Sequence, residues 1–173
     1  MKRVLAVDGY NIIHAWKDLN KWKQTAGYDA ARDALIARLQ DYAGYAGCHV
    51  ILVFDAHHGA HKKSVTQRNA GIDIVFTGSG ETADHYIERI ADELQGKDCE
   101  LYVATSDSLE QSIVLGRGGV RLTPRELAED MEQERRLHGL GRNQSARTAN
   151  RLEDRLSAEI LERLERMRRG GGE

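Results

Sequence analysis

Short apolar runs alternate with longer polar stretches through the first part of the chain. Five of these runs are predicted as strands, and they lie at Val4–Val7, Val50–Phe54, Ile72–Phe76, Leu101–Ala104 and Val120–Leu122. In the first four, apolar residues follow one another almost without interruption, Asp73 being the one charged residue. That pattern is typical of strands buried on both faces of a parallel sheet.

The polar stretches between the strands carry helical patterns. Apolar residues recur at helical spacing weakly over Asn11–Trp22 and strongly over Asp29–Tyr45, and further helices are predicted over Thr82–Leu94 and Ser108–Leu115. The polar, basic segment between the second and third strands is predicted as a loop. This alternation predicts an α/β fold, in which helices cover both faces of a mostly parallel central sheet of about five strands.

The pattern changes after the fifth strand. Thr123, Pro124 and Glu126 form a capping box with proline at the first helical position, which predicts a helix that runs to about Leu137. After a polar linker, a second helix carries one apolar stripe, made up of Leu152, Leu156, Ile160, Leu164 and Met167. The extension is predicted to dock on the domain through this stripe, the alternative being that it is partly free. We therefore predict a domain over residues 1–123 and a C-terminal helical extension with a basic linker over residues 124–173.

Composition and charge narrow the class of protein. The 173 residues carry a formal net charge of -2, so any contact with nucleic acid has to come from local basic patches. No apolar stretch approaches the length of a membrane span, and the N-terminus lacks the pattern of a signal peptide. Cys48 and Cys99 lie far apart without a C-x-x-C motif, which favours reduced thiols in a cytoplasmic protein.

Four of the predicted strands lead into acidic residues. Asp8, Asp55 and Asp107 follow three strand ends closely, while Glu81 and Asp84 follow another and are predicted to share one face of a helix's first turn. Because parallel strands bring their carboxyl ends to one edge of a sheet, these side chains are expected to line one crevice. Each acid alone is explained equally well as a cap or turn residue. Together they predict a site for Mg²⁺ or Mn²⁺ that acts on a phosphate.

Two polar residues accompany these acids. Asn11 lies three residues after Asp8, where it could hold the carboxylate, reach a phosphate or cap a helix. Ser106 precedes Asp107 and could supply a hydroxyl ligand or a turn hydrogen bond. We assign Ser106 a supporting role at the predicted site.

Four motifs resemble those of a known family. DGYN at the first strand end, FDA at the second, ETAD at the helix start and ATSD at the fourth strand resemble, in this order and spacing, the YacP-type NYN-domain family of the PIN-like nuclease superfold. The resemblance covers essentially the whole chain and implies a PIN-like three-layer sandwich. It also implies a metal-dependent endoribonuclease that cleaves mRNA associated with the ribosome. The residues carried over by motif are Asp8, Glu81, Asp84 and Asp107 as catalytic metal ligands, with Asn11 as a further catalytic residue and Asp55 in support.

Basic residues cluster in two segments without acids, the loop after Asp55 and the segment 135–151. Both are predicted to contact RNA phosphates, the alternative being a solvated loop and a solvated linker. The basic side chains concerned are Lys62, Lys63, Arg68, Arg135, Arg136, Arg142, Arg147 and Arg151.

The leading hypothesis is a cytoplasmic, monomeric endoribonuclease that hydrolyses phosphodiester bonds of single-stranded RNA and has no membrane partner. A non-catalytic RNA- or ribosome-binding module is the alternative, although clustered carboxylates hinder binding to a polyanion. A small-molecule phosphohydrolase is a third hypothesis. A haloacid-dehalogenase-like enzyme would need D-x-D at the first strand, where Tyr10 takes the place of the second aspartate.

Overall fold

The computed structural model describes residues 2–55 and 65–138. Within them, strands and helices alternate along the chain. They are β1 Lys2–Asp8, α1 Gly9–Ala15, α2 Lys17–Ala46, β2 His49–Phe54, β3 Val65–Asn69, β4 Ile72–Phe76, α3 Ala83–Leu94, β5 Cys99–Ala104, α4 Ser108–Gly116, β6 Val120–Leu122 and α5 Pro124–His138. The five predicted strands are confirmed.

The strands form one mixed sheet in the order β3-β4-β2-β1-β5-β6, and every neighbouring pair except β3–β4 is parallel. The chain fills one half of the sheet from β1 through β2 to β4, and then returns to the other side of β1 to form β5 and β6. This change of direction lies between β1 and β5. In open α/β sheets, ligands bind outside the carboxyl ends of the strands at such a point.

Within the described ranges the sheet has six strands, whereas about five were predicted. The additional strand is Val65–Asn69, where the prediction of a loop is wrong. Val65–Asn69 is an edge strand, antiparallel to β4. An edge strand exposes polar side chains, so its sequence lacks the apolar run that marks the inner strands. The connection to β4 is a two-residue turn in which Ala70 and Gly71 both have positive φ, at 44° and 83°, as favoured two-residue hairpin turns require.

Helices cover both faces of the sheet, as the three-layer prediction requires. Leu5 and Val7 of β1 pack with α1, α2 and α5 on one face, while Val4 and Ala6 pack with α3 and α4 on the other. Successive residues of β1 thus point into two separate apolar layers. This explains why the run is apolar at consecutive positions.

Helix α2 is longer than predicted and contains a break. It is interrupted at Gly27, whose φ of 91° and ψ of 173° are not helical, and a residue with a side chain rarely adopts such a positive φ. The periodicity over Asn11–Trp22 is weak because this range spans two helices, with Trp16 separating α1 from α2. Its indole Nε1 donates to the carbonyl oxygen of Pro124 at 2.9 Å.

Helix α5 begins with the predicted capping box. Thr123 N donates to Glu126 Oε2 at 2.7 Å, and Glu126 N donates to Thr123 Oγ1 at 3.2 Å. Leu127 is fully buried in the layer that contains α1 and α2, and Asp130 accepts from Arg3 Nη2 at 2.7 Å. Helix α5 is therefore packed on the sheet domain. The predicted division after residue 123 stays a prediction, and the apolar stripe beyond residue 138 lies outside the described residues.

Candidate active site

Asp8 is a half-buried acid at the carboxyl edge of the sheet. It ends β1 and caps α1, because its Oδ1 accepts from the backbone N of Asn11 at 3.3 Å. Burial raises the pKa of Asp8 to about 6; the Asn11 hydrogen bond opposes this, and the negative charges of Asp84, Asp55 and Asp107 add to it. Four aspartates from four segments therefore converge, and we call Asp8, Asp55, Asp84 and Asp107 the acid cluster.

The fold explains this convergence. In the sheet register Asp8 lies beside Val53 of β2, and Asp55 follows two residues later. Asp107 follows the end of β5, and its backbone N donates to Thr105 Oγ1 at 3.1 Å. Asp84 comes from the opposite side, in the first turn of α3. The parallel register places these chain positions at the carboxyl edge of the sheet, and a shared site for their carboxylates stays a prediction.

Glu81 lies differently from the prediction. Helix α3 begins at Ala83 and Thr82 is its N-cap, so Glu81 precedes the helix and does not share its first turn with Asp84. ETAD places the cap at its second position, because Thr82 Oγ1 accepts from His85 N at 3.2 Å. The Glu81 carboxylate pairs with Arg89 Nη1 at 2.5 Å. Its role as a metal ligand stays a prediction.

Asn11 connects two strand ends. Its side-chain Oδ1 accepts from the backbone N of Ser106 at 2.7 Å, while its own backbone N donates to Asp8. The amide therefore ties the loop that carries Asp107 to the helix start capped by Asp8. Ser106 makes this hydrogen bond through its backbone N–H. Its predicted supporting role at the site stays a prediction. A pattern-based reading placed Asn11 near the acids but gave no sign of this long-range hydrogen bond.

Gly9 has a role that sequence reasoning missed. A Cβ atom added to Gly9 would lie 2.3 Å from Cε1 of Phe54, the last residue of β2. Such a distance is far inside the van der Waals contact of two carbons. Only glycine allows α1 to begin against the Phe54 ring, and this close approach brings the ends of β1 and β2 together.

The described residues contain no group of three or more His, Cys, Asp or Glu side chains arranged closely enough to hold a metal ion. The charges of the other aspartates still affect the pKa of Asp8, because charge interactions act over longer distances than coordination bonds. The donor chemistry nevertheless fits a hard divalent cation, since the negative charges of three other aspartates oppose the ionisation of Asp8 and a cation would offset them. The metal ligands Asp8, Asp84, Asp107 and Glu81 stay a prediction.

The basic residues predicted to bind RNA are not gathered at the acid cluster in the part of the chain that is described. Arg68 Nε donates to Asp73 Oδ1 at 3.0 Å, within the sheet. Arg135 and Arg136 both pair with Glu132 on α5, beyond the point where that helix meets Arg3 near the start of β1. The predicted RNA-binding residues outside the described ranges are Lys62, Lys63, Arg142, Arg147 and Arg151.

The chain is similar to known proteins over most of its length. The family model of the YacP-like NYN domain matches residues 5–169. The protein of Bacillus subtilis (strain 168) designated uncharacterized protein YacP is 40% identical over 171 residues, spanning 96% of this chain and 97% of that protein. The crystal structure of Rae1 (YacP) from Bacillus subtilis is 40% identical, with a TM-score of 0.66 over 96% of this chain and 95% of that chain. A mutant of Rae1 (YacP) gives 39% identity and a TM-score of 0.65 over 77% of this chain and 76% of that one.

The fold and the acidic sheet edge define an α/β protein of the NYN class, which is part of the PIN-like nuclease superfamily. The chain belongs to the YacP-like NYN domain family. This membership confirms the resemblance drawn from DGYN, FDA, ETAD and ATSD. It indicates a nuclease-type domain and an RNase role. Among the helices in the described ranges, none combines the length and the apolarity needed to span a membrane.

Proposed function

We propose that this protein is a metal-dependent endoribonuclease that hydrolyses phosphodiester bonds of single-stranded RNA at the acid cluster. The observation that carries the proposal is the convergence of Asp8, Asp55, Asp84 and Asp107 from four segments at the carboxyl edge of the sheet. Family membership supports RNA as the substrate class. The further proposal that the substrate is mRNA on the ribosome, cleaved by a cytoplasmic monomer, rests on the family resemblance alone.

In this proposal, Asp8, Asp84 and Asp107 hold Mg²⁺ or Mn²⁺, with Glu81 as a further ligand or as a base that positions water. When bound, the cation supplies positive charge that offsets the charge of the phosphodiester. The chain contributes fixed geometry. The hydrogen bond from Asn11 N holds Asp8 in one orientation, and the Asn11 side chain holds the loop of Asp107.

The double substitution Asp8→Asn with Asp84→Asn tests the proposal. It keeps the size of both side chains but removes two negative charges, so we expect cleavage of single-stranded RNA in Mg²⁺ or Mn²⁺ to fall below detection. The matched control is Asp33→Asn with Asp98→Asn, which changes two exposed aspartates and should leave cleavage intact. Circular dichroism checks that both variants fold. Unchanged cleavage by the first variant would refute the metal assignment.

A second candidate is a non-catalytic RNA- or ribosome-binding module. The observation that favours this module is that, within residues 2–55 and 65–138, no three His, Cys, Asp or Glu side chains are close enough to hold a metal ion. Purified protein that co-sediments with ribosomes, yet cleaves no RNA in Mg²⁺ or Mn²⁺, would support this candidate over the nuclease.

A further inference from the structure

A row of aromatic rings lies along the carboxyl edge of the sheet. Tyr28, Tyr10, Phe54 and Phe76 contact one another in this order, with successive ring centroids 5.4, 5.0 and 5.5 Å apart. Phe54 and Phe76 end β2 and β4, and Tyr10 lies two residues after Asp8. We call these four residues the aromatic row. It adjoins the acid cluster through the DGYN segment, which contributes a residue to each.

The exposure of the rings changes along the row. Phe54 is fully buried, Tyr10 and Phe76 are half-buried, and Tyr28 is 46% exposed. Packing in the apolar layer accounts for the positions of Phe54, Tyr10 and Phe76. It does not account for Tyr28, which is placed on Tyr10 by the break of α2 at Gly27. Tyr28 is thus an aromatic side chain that packs against Tyr10 and leaves nearly half of its surface open to solvent.

Cationic side chains accompany the rings. Lys23 Nζ lies 5.6 Å from the centroid of the Tyr28 ring and 3.1 Å from Nδ1 of His14. Arg32 Nη1 donates to the Tyr10 hydroxyl at 2.9 Å, and its guanidinium also pairs with Asp29. Aromatic faces beside cations are the chemistry that binds unpaired nucleotides, since each base offers a π-face and each linkage a negative charge.

We propose that Tyr28 stacks on an unpaired base of single-stranded RNA and that Lys23 contacts a phosphate of the same strand, close to the phosphodiester held at the acid cluster. This inference rests on the proposed function and names the part of the surface that orients its substrate. The short path from Tyr28 through Tyr10 to Asp8 directs a strand bound on the aromatic row toward the acids. It also explains how a protein of net charge -2 holds RNA beside carboxylates.

The test measures binding separately from cleavage. A short, fluorescein-labelled, single-stranded RNA of mixed sequence is titrated with the full chain in EDTA, and the Kd is obtained from fluorescence anisotropy. We expect Tyr28→Ala to raise the Kd about tenfold, as for the loss of one stacked base, and Tyr28→Phe to bind like wild type. The matched control is Trp22→Ala, which removes an aromatic ring of similar exposure, 52%, from the same helix and should leave the Kd unchanged.

A second set of substrates tests the stacking itself. Single abasic sites are placed in turn along the RNA, and one position should weaken wild-type binding about as much as Tyr28→Ala does. At that position, Tyr28→Ala should cause no further loss.

The outcomes separate this inference from the proposed function. If wild type cleaves RNA while Tyr28→Ala binds as tightly as wild type, the stacking inference is refuted and the nuclease stands. Equal losses in Tyr28→Ala and Trp22→Ala would also refute it, because any exposed ring would then serve. Wild type that binds through Tyr28 but does not cleave would refute only the nuclease. Wild type that neither binds nor cleaves single-stranded RNA refutes both.

Discussion

At the scale of single residues, the DGYN segment concentrates several tasks in four positions. Asp8 caps a helix and joins the acid cluster, Gly9 allows the Phe54 ring to approach, and Asn11 reaches across to Ser106. The cap is a local contact, whereas Gly9 meets the end of β2 and Asn11 meets the segment after β5. The segment therefore fixes the relative positions of three strand ends.

Asn11 is expected to act as a positioning residue. Asn11→Ala removes the acceptor for Ser106 N, so the loop of Asp107 loses its fixed position; the RNA cleavage kcat should fall about tenfold, equivalent to about 1.4 kcal/mol, with little change in KM. Asn11→Asp keeps an acceptor oxygen and should restore part of the kcat. If Asn11→Ala only destabilised the protein, the unfolding midpoint and kcat/KM would fall together, without a selective fall in kcat at constant KM. That result would contradict the assignment of Asn11 as a positioning residue.

Gly9 is expected to be intolerant of even one methyl group. Gly9→Ala drives a Cβ into the Phe54 ring, and such overpacking costs about 1–3 kcal/mol in the free energy of unfolding. The matched control is Gly44→Ala. Gly44 lies inside α2 with no atom within 4 Å of the added Cβ. The Gly44→Ala variant should therefore have a free energy of unfolding about 0.5–1 kcal/mol higher than wild type. Urea denaturation measures both changes, and equal effects would contradict the steric explanation.

At the scale of elements, the sequence predicted the inner strands and the edge strand β6, and missed the other edge strand, β3. Val50–Phe54 is buried on both faces, and its apolar run is unmistakable. The edge strand Val65–Asn69 has no such run, because its register and its pairing with β4 come from a turn and from cross-strand contacts. Arg68 illustrates the difference. It was predicted to bind RNA, whereas its contact in the sheet is with Asp73.

The three side chains His49, Arg68 and Asp73 join β2, β3 and β4. His49 Nε2 and Arg68 Nε each lie 3.0 Å from an oxygen of the buried Asp73. Burial alone would raise the pKa of Asp73, but the hydrogen bonds and charges of His49 and Arg68 outweigh burial and lower it below its ordinary value of 3.8. Because the folded-state pKa is depressed, the resulting stability is present above pH 3.8 and is lost as the pH falls through the lowered pKa.

Asp73→Asn should therefore destabilise the protein at neutral pH by about 2–3 kcal/mol, since the buried His49 and the more exposed Arg68 both lose a charged acceptor. The loss should shrink toward zero in strong acid, where the Asp73 carboxyl of wild type is protonated. Urea midpoints measured from neutral to acidic pH give the comparison, with the exposed Asp33→Asn as control. A destabilisation that is independent of pH would show that the carboxylate charge is not involved.

At the scale of the whole molecule, the sequence predicted which edge of the sheet carries the acids, because parallel strands bring their carboxyl ends to the same edge. It could not predict how closely they approach. That depends on side-chain contacts between distant segments, such as Asn11 with Ser106 and Gly9 with Phe54. The placement of α5 is of the same kind: its capping box was visible in the sequence, whereas its contacts with Arg3 and Tyr42 were not.

These contacts make α5 a test of where the folding unit ends. A fragment of residues 1–123 lacks Leu127 and Asp130, so it exposes the apolar layer that Leu127 covers and leaves Arg3 and Tyr42 without their shared acceptor. The loss of Leu127 burial alone costs about 1.5–3 kcal/mol. We expect this fragment to unfold at a clearly lower urea concentration than a fragment of residues 1–138, which keeps α5.

Two point variants of the full chain separate packing from helix content in the same experiment. Leu127→Ala should destabilise by about 2–5 kcal/mol because it empties a buried site. Leu137→Ala, at a side chain that is 64% exposed on the same helix, should change stability by less than about 0.5 kcal/mol. If the two fragments unfolded at the same midpoint and Leu127→Ala were as mild as Leu137→Ala, α5 would be an appendage. The folding unit would then end at residue 123.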